Sequence, residues 1–229
     1  MKKHLLAFTL IFATAFINLP VYAGFDEGLV AIEKGDYTTA LKEFKPLAEK
    51  GLASAQYNLG LMYRRGQGVT QDYVQAASWY RKAAEQGNAF AQSSLGLLYD
   101  EGQGITQDYF QAVSWYRKAA EQGEARAQSN LGVMYVEGQG VTQDYVQAAS
   151  WYRKAAEQGN AFAQSSLGTM YYTGQGVTQD YVQAHKWFNL AGANGEKDAV
   201  EARDLIEKRM NKSQIEKAQA LASAWRPKK

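Results

Sequence analysis

The octapeptide Gly-Gln-Gly-Val-Thr-Gln-Asp-Tyr occupies residues 66–73, 138–145 and 174–181, and returns at 102–109 with Ile in place of Val. Its aspartates, Asp72, Asp108, Asp144 and Asp180, stand 36 residues apart each time. A fixed period of that length marks an array of stacked units, each too small to bury its own apolar face without a neighbour. Each unit reads as two helices. Ala91, Leu95 and Tyr99 fall four apart on one helical face. Beyond the octapeptide, Tyr109, Ala112, Tyr116, Ala119 and Ala120 form a second apolar stripe, and Gly123 stands where a helix end wants a residue at positive φ.

The octapeptide is therefore expected to be a joint between antiparallel helices. Gly66 and Gly68 close one helix and reverse the chain, because glycine alone reaches positive φ without steric cost. Asp72 caps the next helix, with Gln75 as its reciprocal partner at the third helical position. A phosphate cradle would need a preceding strand and a following Lys-Ser/Thr pair, and the sequence offers neither.

Before the array, Met1-Lys2-Lys3 is a short basic start and Leu5 to Leu19 is almost wholly apolar. Val21-Tyr22-Ala23 has small residues three before and one before a cut after Ala23. That is the layout of a secretory signal peptide over residues 1–23; an uncleaved anchor is the alternative, but the apolar run is shorter than the roughly 20 residues a bilayer span needs. The leader holds two of the 25 basic residues and none of the 23 acidic ones, so residues 24–229 carry 23 of each. A nucleic-acid binder would show a basic excess or a basic face, and none is present. The basic stretches Lys208-Arg209 and Arg226-Pro227-Lys228-Lys229 read as solvated ends. With no cysteine, stability must come from packing and no thiolate chemistry is available.

The frame Ala-x-x-x-Leu-Gly-x-x-Tyr, Gly-x-Gly-Val-x-x-Asp, Ala-x-x-Trp-Tyr-x-x-Ala-Ala-x-x-Gly on this period resembles the Sel-1-like repeat family, a relative of the tetratricopeptide repeats. The resemblance implies an all-α fold, a right-handed α/α superhelix (solenoid) of antiparallel helix pairs. Four units run over residues 52–87, 88–123, 124–159 and 160–195. Residues 24–51, with Gly35-Asp36-Tyr37 and Ala40, resemble a tetratricopeptide-like first unit with a shorter turn. Residues 196–226 look like a capping helix pair, with Ser213 and Glu216 spaced as a capping box, and 227–229 a tail.

Four units in one chain can be compared with each other. Leu59/95/131/167, Gly60/96/132/168, Tyr63/99/135/171 and Trp79/115/151/187 do not change, which marks them as stacking residues. A mid-helix glycine costs about 1 kcal/mol against alanine, so its retention predicts a neighbour too close for a Cβ. A buried Trp115 would lose about 3 to 5 kcal/mol on truncation to alanine. Other positions vary: Ser54/Phe90/Arg126/Phe162, Tyr57/Ser93/Ser129/Ser165, Leu61/Leu97/Val133/Thr169, Arg64/Asp100/Val136/Tyr172 and Arg65/Glu101/Glu137/Thr173. Their offsets put most of them on one side of the first helix. By resemblance to tetratricopeptide-like solenoids, that side lines a concave groove. The expected partner-binding residues are Tyr57, Leu61, Arg64, Arg65, Phe90, Asp100, Glu101, Arg126, Phe162 and Tyr172.

Residues suited to catalysis are few. His185 is the only histidine after the leader, too little for a typical zinc site, and reads as a packed or surface residue. No Gly-x-Ser-x-Gly elbow exists, and Glu85, Glu121 and Glu157 recur before a helix-ending glycine as a solvated edge. The expectation is an exported scaffold, periplasmic or secreted, holding a protein or peptide partner, with no cofactor, metal or catalysis. The alternative is a hydrolase of cell-wall material or β-lactams, implied by cysteine-rich members of the resembled family, whose cysteines this chain lacks.

Overall fold

The path of the chain is set at each joint. The structure, a computed structural model, describes residues 19–228 and side chains from Gly24 onward, so most of the expected leader and Lys229 lie outside the described residues. Among the described residues there are twelve α-helices and no strand. The chain divides after Asn88 into two compact units. The first contains α1 (Leu19–Glu33), α2 (Tyr37–Glu49), α3 (Ala53–Arg65) and α4 (Tyr73–Glu85). The second contains α5 (Ala89–Glu101), α6 (Tyr109–Glu121), α7 (Ala125–Glu137), α8 (Tyr145–Glu157), α9 (Ala161–Thr173), α10 (Tyr181–Ala193), α11 (Lys197–Glu207) and α12 (Lys212–Ala224).

The joint between α7 and α8 shows what the octapeptide does. Gly138, at φ 71°, ends α7 in the left-handed region, and its N–H donates to the Met134 carbonyl at 2.9 Å. The Gln143 side chain then caps the Val136 carbonyl, and the Asp144 carboxylate accepts from the backbone N–H of Val146 and Gln147 at 2.9 and 3.0 Å. The expected reciprocal bond from the third helical position is replaced by another. The backbone N–H of Asp144 already donates to the Tyr135 carbonyl at 2.9 Å, as that of Asp72 does to Tyr63, so Gln147 and Gln75 have no donor to cap. Gly140, at φ 65°, lies so close to the start of α6 that a Cβ there would overlap the Tyr109 carbonyl.

Within each unit, successive helices pack antiparallel in series, α3 on α4, α5 on α6, α7 on α8 and α9 on α10, with α6 on α7 and α8 on α9. The first unit's core includes a cluster of Ala31, Ala40, Phe44, Leu47, Ala48, Ala55, Leu59 and Met62, and buried Ala76, Tyr80 and Ala83 on α4. In the second unit, a cluster of Ala112, Tyr116, Ala127, Leu131 and Met134 is followed by one of Ala148, Tyr152, Ala163, Leu167 and Trp187. The mid-helix glycine does face a close neighbour. A Cβ on Gly132 would sit 2.6 Å from the Tyr152 ring, and one on Gly60 2.7 Å from Tyr80. The tryptophan differs from expectation. Trp115 is half-buried, with the Lys118 ammonium 4.0 Å from its ring centroid, whereas the adjacent Tyr116 is fully buried. Trp151 packs on the cluster of the preceding repeat and Trp79 on the core of α1–α3, so this position joins repeats while the tyrosine fills them.

Burial pushes the Tyr152 phenol up to about 12, with the Glu137 carboxylate adding to the effect and Ser166 opposing it. The folded chain thus holds that proton more tightly than an unfolded one, whose tyrosines titrate near pH 10. The associated stability is complete below about pH 10 and is lost as pH rises from there towards 12, at a rate of at most about 1.4 kcal/mol for each step of one in pH. Chemical denaturation across this window should show a steeper loss for the parent than for Tyr152→Phe.

The last two helices both pack on α10. The box that starts α12 is built by Asn211 and Gln214, each side chain bonded to the other's backbone N–H, and not by Ser213 and Glu216. Helix α12 begins at Lys212, so Ser213 already lies inside the first turn. Nor are the basic ends wholly solvated. The Arg209 guanidinium lies 5.6 Å from the Tyr172 ring centroid, and Lys228 pairs with Glu157.

Candidate functional site

A surface free to bind must sit on helices whose packing side is already fixed. In α7 that side is fixed by Gln128, which is buried: its Nε2 donates to the Ala120 carbonyl of the preceding repeat at 3.1 Å, and its Oε1 accepts from Gln158 at 2.8 Å. Gln164 repeats this with Ala156 and Asn194, and Gln56 with Ala48 and Gln86. The signal is present in the sequence, since Gln56, Gln92, Gln128 and Gln164 recur at the 36-residue spacing, but a polar residue does not announce itself as a packing residue. Removing Gln128 takes one of the donors from the Ala120 carbonyl and the Oε1 acceptor from the Gln158 amide. Gln128→Ala should therefore cost about 1 to 3 kcal/mol, read as a shift in the denaturation midpoint.

With that side held, part of the varied stripe of each first helix is open to solvent. In the first unit Tyr57, Leu61 and Arg64 are half-buried and Arg65 is exposed at the end of α3. The Tyr57 ring leans on Tyr80, with centroids 5.9 Å apart. In the second unit Phe90 is 60% exposed and Phe162 50%, and Arg126 between them in register is exposed as well. The Phe162 ring meets that of Tyr152 edge-on at 6.3 Å. Glu101 is exposed at the end of α5. The middle of the stripe is less open than expected: Ser93 and Ser129 are buried, their small side chains letting the neighbouring helices close over them.

Asp100 and Tyr172, too, are engaged by the chain itself. Asp100 is half-buried and accepts from the Tyr116 hydroxyl at 3.2 Å, and burial holds its carboxyl above the usual carboxylate range. Tyr172 lies against Tyr181, ring centroids 5.8 Å apart, and under Arg209. His185 is fully buried in α10 with Nε2 2.6 Å from Glu207 Oε1.

The comparisons with known proteins follow these helix pairs. The model of the Sel1 repeat matches residues 53–88, 89–124, 125–160 and 161–208, each stretch opening at or next to the start of a first helix. A Sel1 repeat protein from Oxalobacter formigenes is 34% identical in crystal structure, with a TM-score of 0.72 over 85% of this chain and 81% of its own. A protective antigen of uropathogenic Escherichia coli strains, c5321, displays an SLR fold. It is 35% identical with a TM-score of 0.59 over 88% of this chain, which spans 52% of the antigen's length. The immunity protein Pa5087 of Pseudomonas aeruginosa, 21% identical with a TM-score of 0.54 over 89% of this chain and 81% of its own, shares the fold. No curated protein sequence matches the chain. The 36-residue helix pairs, their glycine joints and four consecutive family matches place this chain in the Sel1 repeat family, whose repeats generally serve as scaffolds for protein–protein interaction.

Proposed function

We propose that the chain is an exported, non-catalytic scaffold whose first helices hold a polypeptide partner along their varied side. One observation carries this reading. Phe90, Arg126 and Phe162 occupy the same register position on three successive first helices of the second unit, and all three are exposed. Most residues that pack those helices, such as Ala91, Leu95 and Gly96, recur in every repeat, whereas this position reads Phe, Arg, Phe and is exposed each time, so stacking does not fix it. Large exposed aromatics and arginine are also the residue types that dominate protein-interface energetics. In the first unit, Tyr57, Arg64 and Arg65 supply the same chemistry on α3. Export rests on the leader-like residues 1–23, and a mature chain beginning at Gly24 would be read directly by mass spectrometry.

Photocrosslinking in the native cell tests the binding surface. With the reactive group at Arg126, at Phe162, or at Gln147 on the exposed side of α8, one protein should be captured from the first two sites and not from the third. Capture of the same set from Gln147, or of nothing from Arg126 and Phe162, would remove the support for this reading.

A further inference from the structure

The segment after α12 is docked on the chain. Trp225 packs against the cluster that holds Ala148, Leu190 and Ala222. The Lys228 backbone N–H donates to the Glu157 carbonyl at 2.7 Å, and its ammonium meets Glu157 Oε2 at 2.7 Å. A Cβ on Gly159 would sit 3.7 Å from Trp225 and 3.9 Å from Pro227. The Glu157 carbonyl is one of the last in α8, which the helix itself leaves without a donor, and a cation at that pole also suits the helix dipole. The chain thus displays a ligand for the end of its own second helix: an aromatic ring and a proline over the glycine, then a lysine bound twice by the glutamate.

The same helix end occurs one repeat earlier, where residues 117–123 read Arg-Lys-Ala-Ala-Glu-Gln-Gly as 153–159 do. There, nothing lies within 4 Å of a Cβ on Gly123. Beside it opens a cavity of about 380 Å³ lined by Gln122, Gly123 and Gln128, by Lys154, Glu157 and Gln158, and by Lys228 of the docked segment itself. Moved on by 36 residues, the helix walls become Gln158, Gly159, Gln164, Leu190, Ala193 and Asn194, which include the surroundings of Trp225. The cavity is the open counterpart of the filled site. The walls differ at three positions: Lys154, Glu157 and Gln158 stand where Leu190, Ala193 and Asn194 do, and the Lys154 ammonium lies 3.8 Å from the Trp151 ring centroid. A lysine there favours an aromatic occupant over an aliphatic one. Glu121 is exposed and, among the described residues, has no ion pair.

From this we infer that the cavity beside Gly123 is a second binding site, separate from the first-helix surface, for an extended partner segment. That segment carries an aromatic residue, a proline and a lysine in that order, its lysine pairing with Glu121 as Lys228 pairs with Glu157. The probe is a labelled peptide of residues 223–229, Ser-Ala-Trp-Arg-Pro-Lys-Lys, titrated into the full chain. Saturable binding is expected. Glu121→Ala should weaken it about tenfold, the loss expected for one charge-assisted hydrogen bond, as should replacing the first lysine of the peptide by alanine. Glu137→Ala, another exposed acid of the second unit, should leave binding unchanged. Absence of saturable binding, or equal weakening by Glu121→Ala and Glu137→Ala, would overturn the assignment. So would self-association of the chain that the peptide reverses, because the occupant would then be a second copy and not a partner.

Discussion

Tyr116→Ala is expected to cost about 3 to 5 kcal/mol, and Trp115→Ala, one residue earlier, only about 1 to 2 kcal/mol. Tyr116 is fully buried between α5 and α6, with its ring against Gly96, where a Cβ would approach within 2.8 Å. Truncation leaves a ring-sized cavity that the closely packed alanines around it cannot fill, and it takes the hydroxyl donor away from half-buried Asp100. Trp115 keeps part of its ring in solvent under Lys118, so much of its surface is never withdrawn from water. Urea denaturation of the two variants decides the matter. The reverse order would mean that the tryptophan, and not the tyrosine, fills the repeat.

The second large effect is expected at the joint. Gly140→Ala should cost about 2 to 5 kcal/mol, combining a left-handed backbone that disfavours a Cβ with a collision against the backbone of Tyr109 and Phe110. Backbone cannot rotate aside as a side-chain tip can, so the joint must open or the helices must separate. Gly123→Ala is the matched comparison. It sits at φ 93° with open space around it, and should lose only the conformational part, about 1 to 2 kcal/mol. Equal losses at the two positions, measured by the same denaturation, would show that close approach between repeats does not govern the joint.

The two cases also show where the sequence is informative. Period, helix pairing and glycine joints are legible because each is a local requirement: Gly138 must take positive φ, and Asp144 must cap the donors two and three residues ahead. Partners chosen by tertiary contact are not. Gln75 has the spacing of a capping partner, but the donor it would cap belongs to the Tyr63 carbonyl across the joint. Gln128 reads as polar surface until the Ala120 carbonyl and the Gln158 amide appear beside it. Repetition marks both Trp115 and Tyr116 as structural, and only packing distinguishes the filler from the link.

The varied stripe is legible for the opposite reason. Arg126 and Phe162 stand out because stacking does not fix them, and both prove exposed. Asp100 and Tyr172 share the stripe but are held by Tyr116 and by Tyr181 with Arg209, contacts made outside their own helices. The docked segment at Trp225–Lys228 gives no periodic signal, since it occurs once and its site is built by helices far from it in sequence.

The most direct test of a binding surface on the first helices is a chain carrying Arg126→Ser and Phe162→Ser, followed for both stability and partner capture. The expected result is a loss of no more than about 1.5 kcal/mol, that of one aromatic pair, together with loss of the protein that the parent captures in the cell. A double variant that melts like the parent and still captures the same partner would contradict it.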